Sequence, residues 1–118
     1  MRIESNSLTE EKFLYDFRCA TRNIYYMIKS IKHKGLKRFY STGSIRGIQP
    51  QHAAKLRMQL AALDTATVIE DLDIPGYQLH QLQGQRKGIW SITVNANWRL
   101  TFAFIEGNVF LLNYEDYH

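Results

Sequence analysis

The last six residues of the chain, Asn113-Tyr114-Glu115-Asp116-Tyr117-His118, gather two carboxylates, two phenols and an imidazole. They follow directly on the apolar run Val109-Phe110-Leu111-Leu112. Terminal residues usually fray, but a strand that reaches almost to the end would hold these groups against the body of the domain. His80 lies in the short run Tyr77–Leu82, and Arg99 lies inside the alternating run Trp98–Phe104. Together His80, Arg99, Asp116, Tyr117 and His118 contain the parts of a phosphodiester-cleaving site. One group takes a proton from the attacking hydroxyl and another returns one to the leaving oxygen. A cation meets the charge that develops on phosphorus. Histidine suits either proton role because its unperturbed pKa is about 6.5.

Each of these residues also has an ordinary reading. Arg99 by itself is a solvent-facing arginine, His80 a structural or exposed histidine, and His118 a terminal residue. A metal reading, with two histidines and one carboxylate as ligands, lacks any short His-x-x-x-His spacing. No phosphate-cradling glycine loop or dinucleotide fingerprint is present, so no cofactor is implied. Cys19, the single cysteine, has no neighbouring His or acid motif that would activate it.

The elements that must position these residues follow from hydrophobic period. Lys34 to Tyr40 predicts a short helix, ended by Thr42-Gly43-Ser44 and Arg46-Gly47. Pro50 suits the first turn of a second helix running to about Leu63. Ala53, Leu56, Leu60 and Leu63 form its core stripe, with Lys55, Arg57 and Gln59 off the stripe. From Tyr77 the period becomes two. Strands are expected over Tyr77–Leu82, Ile89–Val94, Trp98–Phe104 and Val109–Tyr114, and Met27–His33 is a plausible first strand. In the third of these, Trp98, Leu100, Phe102 and Phe104 point one way, while Arg99, Thr101 and Ala103 point the other. The result is an α+β domain in which two helices pack on a mostly antiparallel sheet of four to five strands. The other sheet face stays open to solvent or ligand, and Arg99 stands on it, able to grip a phosphate with two parallel hydrogen bonds.

Residues 1–26 read differently. Glu10 to Tyr26 has helical spacing, with Ser7 or Thr9 as N-cap and Phe13, Phe17 and Ala20 on one face. This segment is either an extra helix or an appendage from an upstream start, with Met27 the alternative start. Its charge is balanced, so residues 27–118 hold the whole net charge of +4. Eight bases and no acid fall between residues 27 and 63, among them Lys32, Lys34 and Lys37. Such a field favours a polyanion, with nucleic acid the expected partner and a merely solvated basic face the plain alternative. Arg86 and Lys87, in the turn between Gly84 and Gly88, are expected to touch backbone phosphate. No apolar run approaches the roughly 20 residues that span a bilayer, and no secretory pattern opens the chain. A cytoplasmic protein without membrane partners is expected.

The residues also resemble a known family. Met27-Ile28-Lys29-Ser30-Ile31-Lys32-His33-Lys34-Gly35-Leu36, Leu63-Asp64-Thr65-Ala66, Leu79-His80, Trp90-Ser91-Ile92-Thr93-Val94, Ala96-Asn97-Trp98-Arg99 and the terminal hexapeptide are similar to HigB toxins of the RelE superfamily, across residues 27–118. The resemblance implies a toxin of a type II toxin–antitoxin system with a RelE-like fold. Such toxins cleave messenger RNA in the ribosomal A site, beside 16S ribosomal RNA, by metal-independent attack of the ribose 2′-hydroxyl. A HigA-like helix-turn-helix antitoxin is the implied partner. His80, Arg99, Asp116, Tyr117 and His118 fall on the family's catalytic positions, with Tyr117 suited to stack on a base. After Leu79-His80 the family pattern often reads Pro-Leu-Lys-Gly. Here it is Gln81-Leu82-Gln83-Gly84, so neutral Gln83 stands where the family has a lysine near the phosphate. The alternative is a RelE-fold binding module that holds antitoxin or ribosomal RNA and cleaves weakly or not at all.

Overall fold

A computed structural model of the protein describes residues 27–116. The helix expected over Glu10–Tyr26, Cys19, and the site residues Tyr117 and His118 lie outside the described residues. Two helices come first, α1 (Lys34–Thr42) and α2 (Ala53–Thr65), followed by β1 (His80–Gln81), β2 (Ile89–Asn95), β3 (Trp98–Ile105) and β4 (Asn108–Asp116). The four strands form one sheet in the order β1-β2-β3-β4, antiparallel throughout.

His33 caps α1, its Nδ1 accepting the Leu36 N–H at 3.0 Å. Gly43 ends the helix in the left-handed region (φ 83°), and its N–H reaches the Phe39 carbonyl at 2.8 Å. Leu36 and Phe39 face inward. Gly35 is required by a close approach: a Cβ there would lie 2.9 Å from the Gly47 carbonyl oxygen. Pro50 opens a 3₁₀ turn, Pro50–His52, that leads into α2. Ala53, Leu56, Leu60 and Leu63 are buried along α2 as the stripe predicts.

Gln59, expected off the stripe, is fully buried. It lies three residues after Leu56, so helical geometry turns it toward the sheet. Its Nε2 donates to the Thr93 carbonyl of β2 at 2.8 Å, which offsets part of the cost of burying an amide.

Two strand expectations change in extent. Only His80 and Gln81 of the Tyr77–Leu82 run pair as strand, because Gln78 adopts φ 52° and breaks the extended backbone. The Met27–His33 segment runs parallel beside β4 but touches it at two isolated bridges, Ile28–Val109 and Ile31–Leu112. Between them β4 carries one extra residue relative to β3, and Leu111 sits at φ 58°. This bulge interrupts the ladder, and the Ser30 hydroxyl accepts the Leu111 N–H at 2.8 Å.

Leu36, Leu56, Leu63, Leu72, Ile92, Leu100, Phe102, Val109 and Leu112 are fully buried between helices and sheet. Among the described residues, no helix is long and apolar enough to cross a membrane.

Asp64, at the end of α2, ties three segments together. Its carboxylate accepts the backbone N–H groups of Met27 (3.2 Å) and Ile28 (3.3 Å) and the Tyr40 hydroxyl of α1 (2.7 Å). Asp64→Ala is therefore expected to lower unfolding free energy by about 2 kcal/mol, since it strands part-buried donors. Asp64→Asn, which keeps an acceptor oxygen, should lose less. Urea denaturation checks both; an unchanged midpoint in Asp64→Ala would show that this junction contributes nothing.

Candidate active site

Antiparallel pairing places residues opposite one another on the same face of a sheet. Two polar rows result. His80, Ser91, Thr101 and Asn113 line up across all four strands, and Thr93, Arg99 and Glu115 line up across β2, β3 and β4. His80 and Arg99 therefore share the face opposite Leu100 and Phe102.

Arg99 is half-buried, and its Nη1 donates to the Thr93 Oγ1 at 3.1 Å. The Thr93 hydroxyl in turn donates to the Gln78 Oε1 at 3.1 Å. His80 is exposed, with Nδ1 2.9 Å from the Gln78 carbonyl oxygen. A carbonyl only accepts, so Nδ1 carries a proton and neutral His80 keeps its lone pair on Nε2.

Glu115 occupies the next position in the Arg99 row. Arg86 grips it through two parallel contacts, Nη2 to Oε2 at 2.6 Å and Nη1 to Oε1 at 3.1 Å. The Thr101 hydroxyl donates to the same Oε2. The hydrogen bonds from Arg86 hold the Glu115 carboxyl below the ordinary carboxylate range, against an opposing effect of burial, with Thr101 and Asn113 assisting. Arg86, read from sequence as a phosphate contact, is thus engaged by Glu115, while Lys87 and Gln83 are exposed beside it. Lys32, Lys34 and Lys37 are exposed at the start of α1.

Asp116 pairs with Trp98. It belongs to the alternate row, whose neighbours face the helices. Tyr114, on that same side, stacks on Trp98 with ring centroids 4.5 Å apart. Its hydroxyl sits 2.6 Å from the Nδ1 of His52 and 3.4 Å from the backbone nitrogen of Gln49. The Gln49 N–H donates to this hydroxyl, and the hydroxyl and the His52 Nδ1 share one hydrogen bond whose direction follows the imidazole tautomer. The His33 ring meets Tyr114 edge-on at 5.2 Å. Burial raises the Tyr114 phenol, the Gln49 N–H opposes that shift, and the Asp116 charge adds to it. This aromatic and imidazole cluster anchors β4 two residues before Asp116.

Comparisons with known proteins give the family of the chain. A family model described as the RelE-like toxin of the type II toxin–antitoxin system HigB matches residues 29–118. The chain belongs to the HigB-like toxin family. The endoribonuclease HigB of Proteus vulgaris is 53% identical over 92 residues, covering 78% of this chain and 100% of that relative. Toxin HigB-1 of Vibrio cholerae serotype O1 is 36% identical over 94 residues, covering 78% and 98%. Helices packed on a four-stranded antiparallel sheet are consistent with the RelE-like fold of these toxins.

Within this HigB-like domain, the sheet brings His80 and Arg99 to one face, and Asp116, at the end of β4, lies in the row of the opposite, helix-facing side. Sequence reasoning missed Thr93, Gln78, Glu115 and the Tyr114–His52 contact. The alternation of β2 would have placed Thr93 beside Arg99 once the register was known. His52 carried no signal beyond its place near a helix start.

The two helix-side histidines predict an acid response. Burial lowers both His33 and His52 below the usual 6.5. Below about pH 6.5 the unfolded chain then binds more protons than the folded one, so stability falls as pH falls. Protonation would also turn the His33 Nδ1 from an acceptor into a donor facing the Leu36 N–H. Melting temperature should be flat above pH 7 and drop toward pH 5. A double variant, His33→Asn with His52→Gln, should flatten that slope. An equal slope in the double variant would remove the histidines as its cause.

Proposed function

We propose that this chain is the toxin of a type II toxin–antitoxin system, a ribosome-dependent endoribonuclease that cuts messenger RNA in the A site and so blocks translation. In this reading residues 27–118 form the toxin domain and residues 1–26 an extension. The setting is the cytoplasm, and the partners are the ribosome, including its 16S RNA, and a HigA-like helix-turn-helix antitoxin. The observation that carries the reading is the shared polar face, with Arg99 tethered through Thr93 and His80 oriented through Gln78.

The chemistry follows from those groups. The ribose 2′-hydroxyl attacks the adjacent phosphorus, and the bond to the 5′-oxygen of the next nucleotide breaks. Arg99 stabilises the added charge on the phosphate oxygens. His80, exposed and with Nδ1 on the Gln78 carbonyl, has its Nε2 lone pair available to take the 2′ proton. Asp116 and His118 supply proton transfer and charge at the leaving oxygen, and Tyr117 stacks on a base. Lys32, Lys34, Lys37 and Lys87 provide positive charge toward the RNA backbone, with Arg86 and Gln83 beside Lys87 in the same turn region.

A second reading, a binding module that holds antitoxin or ribosomal RNA and cleaves poorly, is favoured by one pair of observations. Gln83 is neutral where the family has a lysine, and Arg86 is committed to Glu115.

Controlled expression with mapping of messenger RNA ends separates the two. Cleavage predicts growth arrest together with new internal ends. Growth arrest without new ends would overturn the nuclease reading in favour of the second. Arg99→Ala should abolish both toxicity and cleavage while keeping the fold by circular dichroism. A fully toxic Arg99→Ala variant would remove Arg99 from its phosphate role.

A further inference from the structure

We infer that Thr93 and Gln78 are positioning residues that fix Arg99 and His80 relative to each other across strand β2. The inference rests on the endoribonuclease reading and adds two residues to its site. Neither touches the reacting atoms; each acts through a side chain that does.

Thr93 has each of its polar groups engaged. Its N–H donates to the Tyr77 carbonyl at 2.7 Å, and its carbonyl accepts the Gln59 Nε2 at 2.8 Å. Its Oγ1 accepts from Arg99 and donates to Gln78, both at 3.1 Å. The pairing register of β2 shifts between Thr93 and Asn95, so the Gln59 amide, reaching from α2, fixes the backbone where the ladder is irregular. Thr93 is β-branched and stiff about χ1. A fixed backbone and a stiff side chain together set where the hydroxyl points, and with it the Nη1 of Arg99.

Gln78 joins the second residue to the first. Its side chain takes the Thr93 hydroxyl proton, and its main-chain carbonyl takes the His80 Nδ1 proton. It does so from the left-handed region at φ 52°, a conformation that is strained for a residue with a Cβ. The peptide before it is held by the Thr93 N–H bond to Tyr77. The same turn that ends the predicted strand early thus turns the Gln78 carbonyl toward the imidazole. A guanidinium on β3 and an imidazole on β1 become the two ends of one hydrogen-bonded chain.

The test uses the full chain on purified ribosomes programmed with a defined messenger, under single-turnover conditions. Thr93→Val keeps the β-branched shape and removes the hydroxyl. It should lower the maximal cleavage rate about ten- to a hundredfold, the scale expected when a reacting group is misplaced by an ångström or less. The protein concentration for half-maximal rate and the melting temperature should change little. Thr93→Ser should recover most of the rate, and Gln78→Met, at an exposed side chain, should fall between. Nitrogen-15 spectra give a readout independent of cleavage: rotation of the Arg99 guanidinium should speed up in Thr93→Val and stay slow in Thr93→Ser. Wild-type rates in Thr93→Val, with Arg99→Ala inactive, would overturn the positioning role and leave the nuclease reading intact. Equal losses in the valine and serine variants would also overturn it, assigning Thr93 to packing alone. A wild-type protein that does not cleave would remove both.

Discussion

The register of β3 is set by what it buries. Leu100 and Phe102 are wholly enclosed between the helices and the sheet, and Ile92, Tyr114 and Leu112 close around them from β2 and β4. Because side chains alternate along a strand, a slip of one residue would expose these groups and bury Arg99. At about 25 cal/mol per Å² of apolar surface, enclosing residues of this size contributes roughly 1.5–3 kcal/mol each. A neutral hydrogen bond on the opposite face contributes about 0.5–1.5 kcal/mol. The apolar face therefore fixes the polar one, and the rows containing His80 and Arg99 are consequences of core packing.

On that polar face Arg99 is constrained from the adjoining strand β2, and Glu115 from strand β3 and from the turn that carries Arg86. Glu115 is held by Arg86 and Thr101, and Arg99 by Thr93. Half-buried charged hydrogen bonds between strands are stronger than neutral ones, and their geometry is inherited from the strand spacing. A site of this kind sits on a rigid platform, with β4 secured close to its end by the Tyr114 hydroxyl on His52 and the Trp98 stack. Tyr114 thus connects the two layers: its ring belongs to the core and its hydroxyl meets the loop ahead of α2. The basic stretch of residues 27–63 adds a long-range positive field that favours a polyanion.

Much of this was legible in the residues. Period-two alternation located β2, β3 and β4, and Pro50 with the Ala53–Leu63 stripe located α2. Arg99 could be placed on the face opposite the core from the alternation of a single strand. What escaped reading depended on tertiary context. The Gln78 backbone is held left-handed by contacts with β2, so the first short strand is two residues long rather than six. The Met27–His33 segment has strand character, but the β4 bulge at Leu111 limits its pairing. Gln59 looks polar and outward on its own helix, and only the nearby Thr93 carbonyl makes its burial favourable. Glu115 stood beside Asp116 in the sequence, yet its partner Arg86 lies 29 residues away, a separation no local pattern encodes.

The chain belongs to the HigB-like toxin family, and the proposed chemistry is attack by a ribose 2′-hydroxyl on the polar face of the sheet. The most direct measurement places a single 2′-deoxynucleotide at the cleavage position of a messenger bound to the ribosome. No cleavage is expected at that position, while the unmodified messenger yields a 2′,3′-cyclic phosphate and a 5′-hydroxyl end under 2′-hydroxyl attack. Cleavage of the deoxy substrate at the same position, or a 5′-phosphate on the unmodified product, would contradict it.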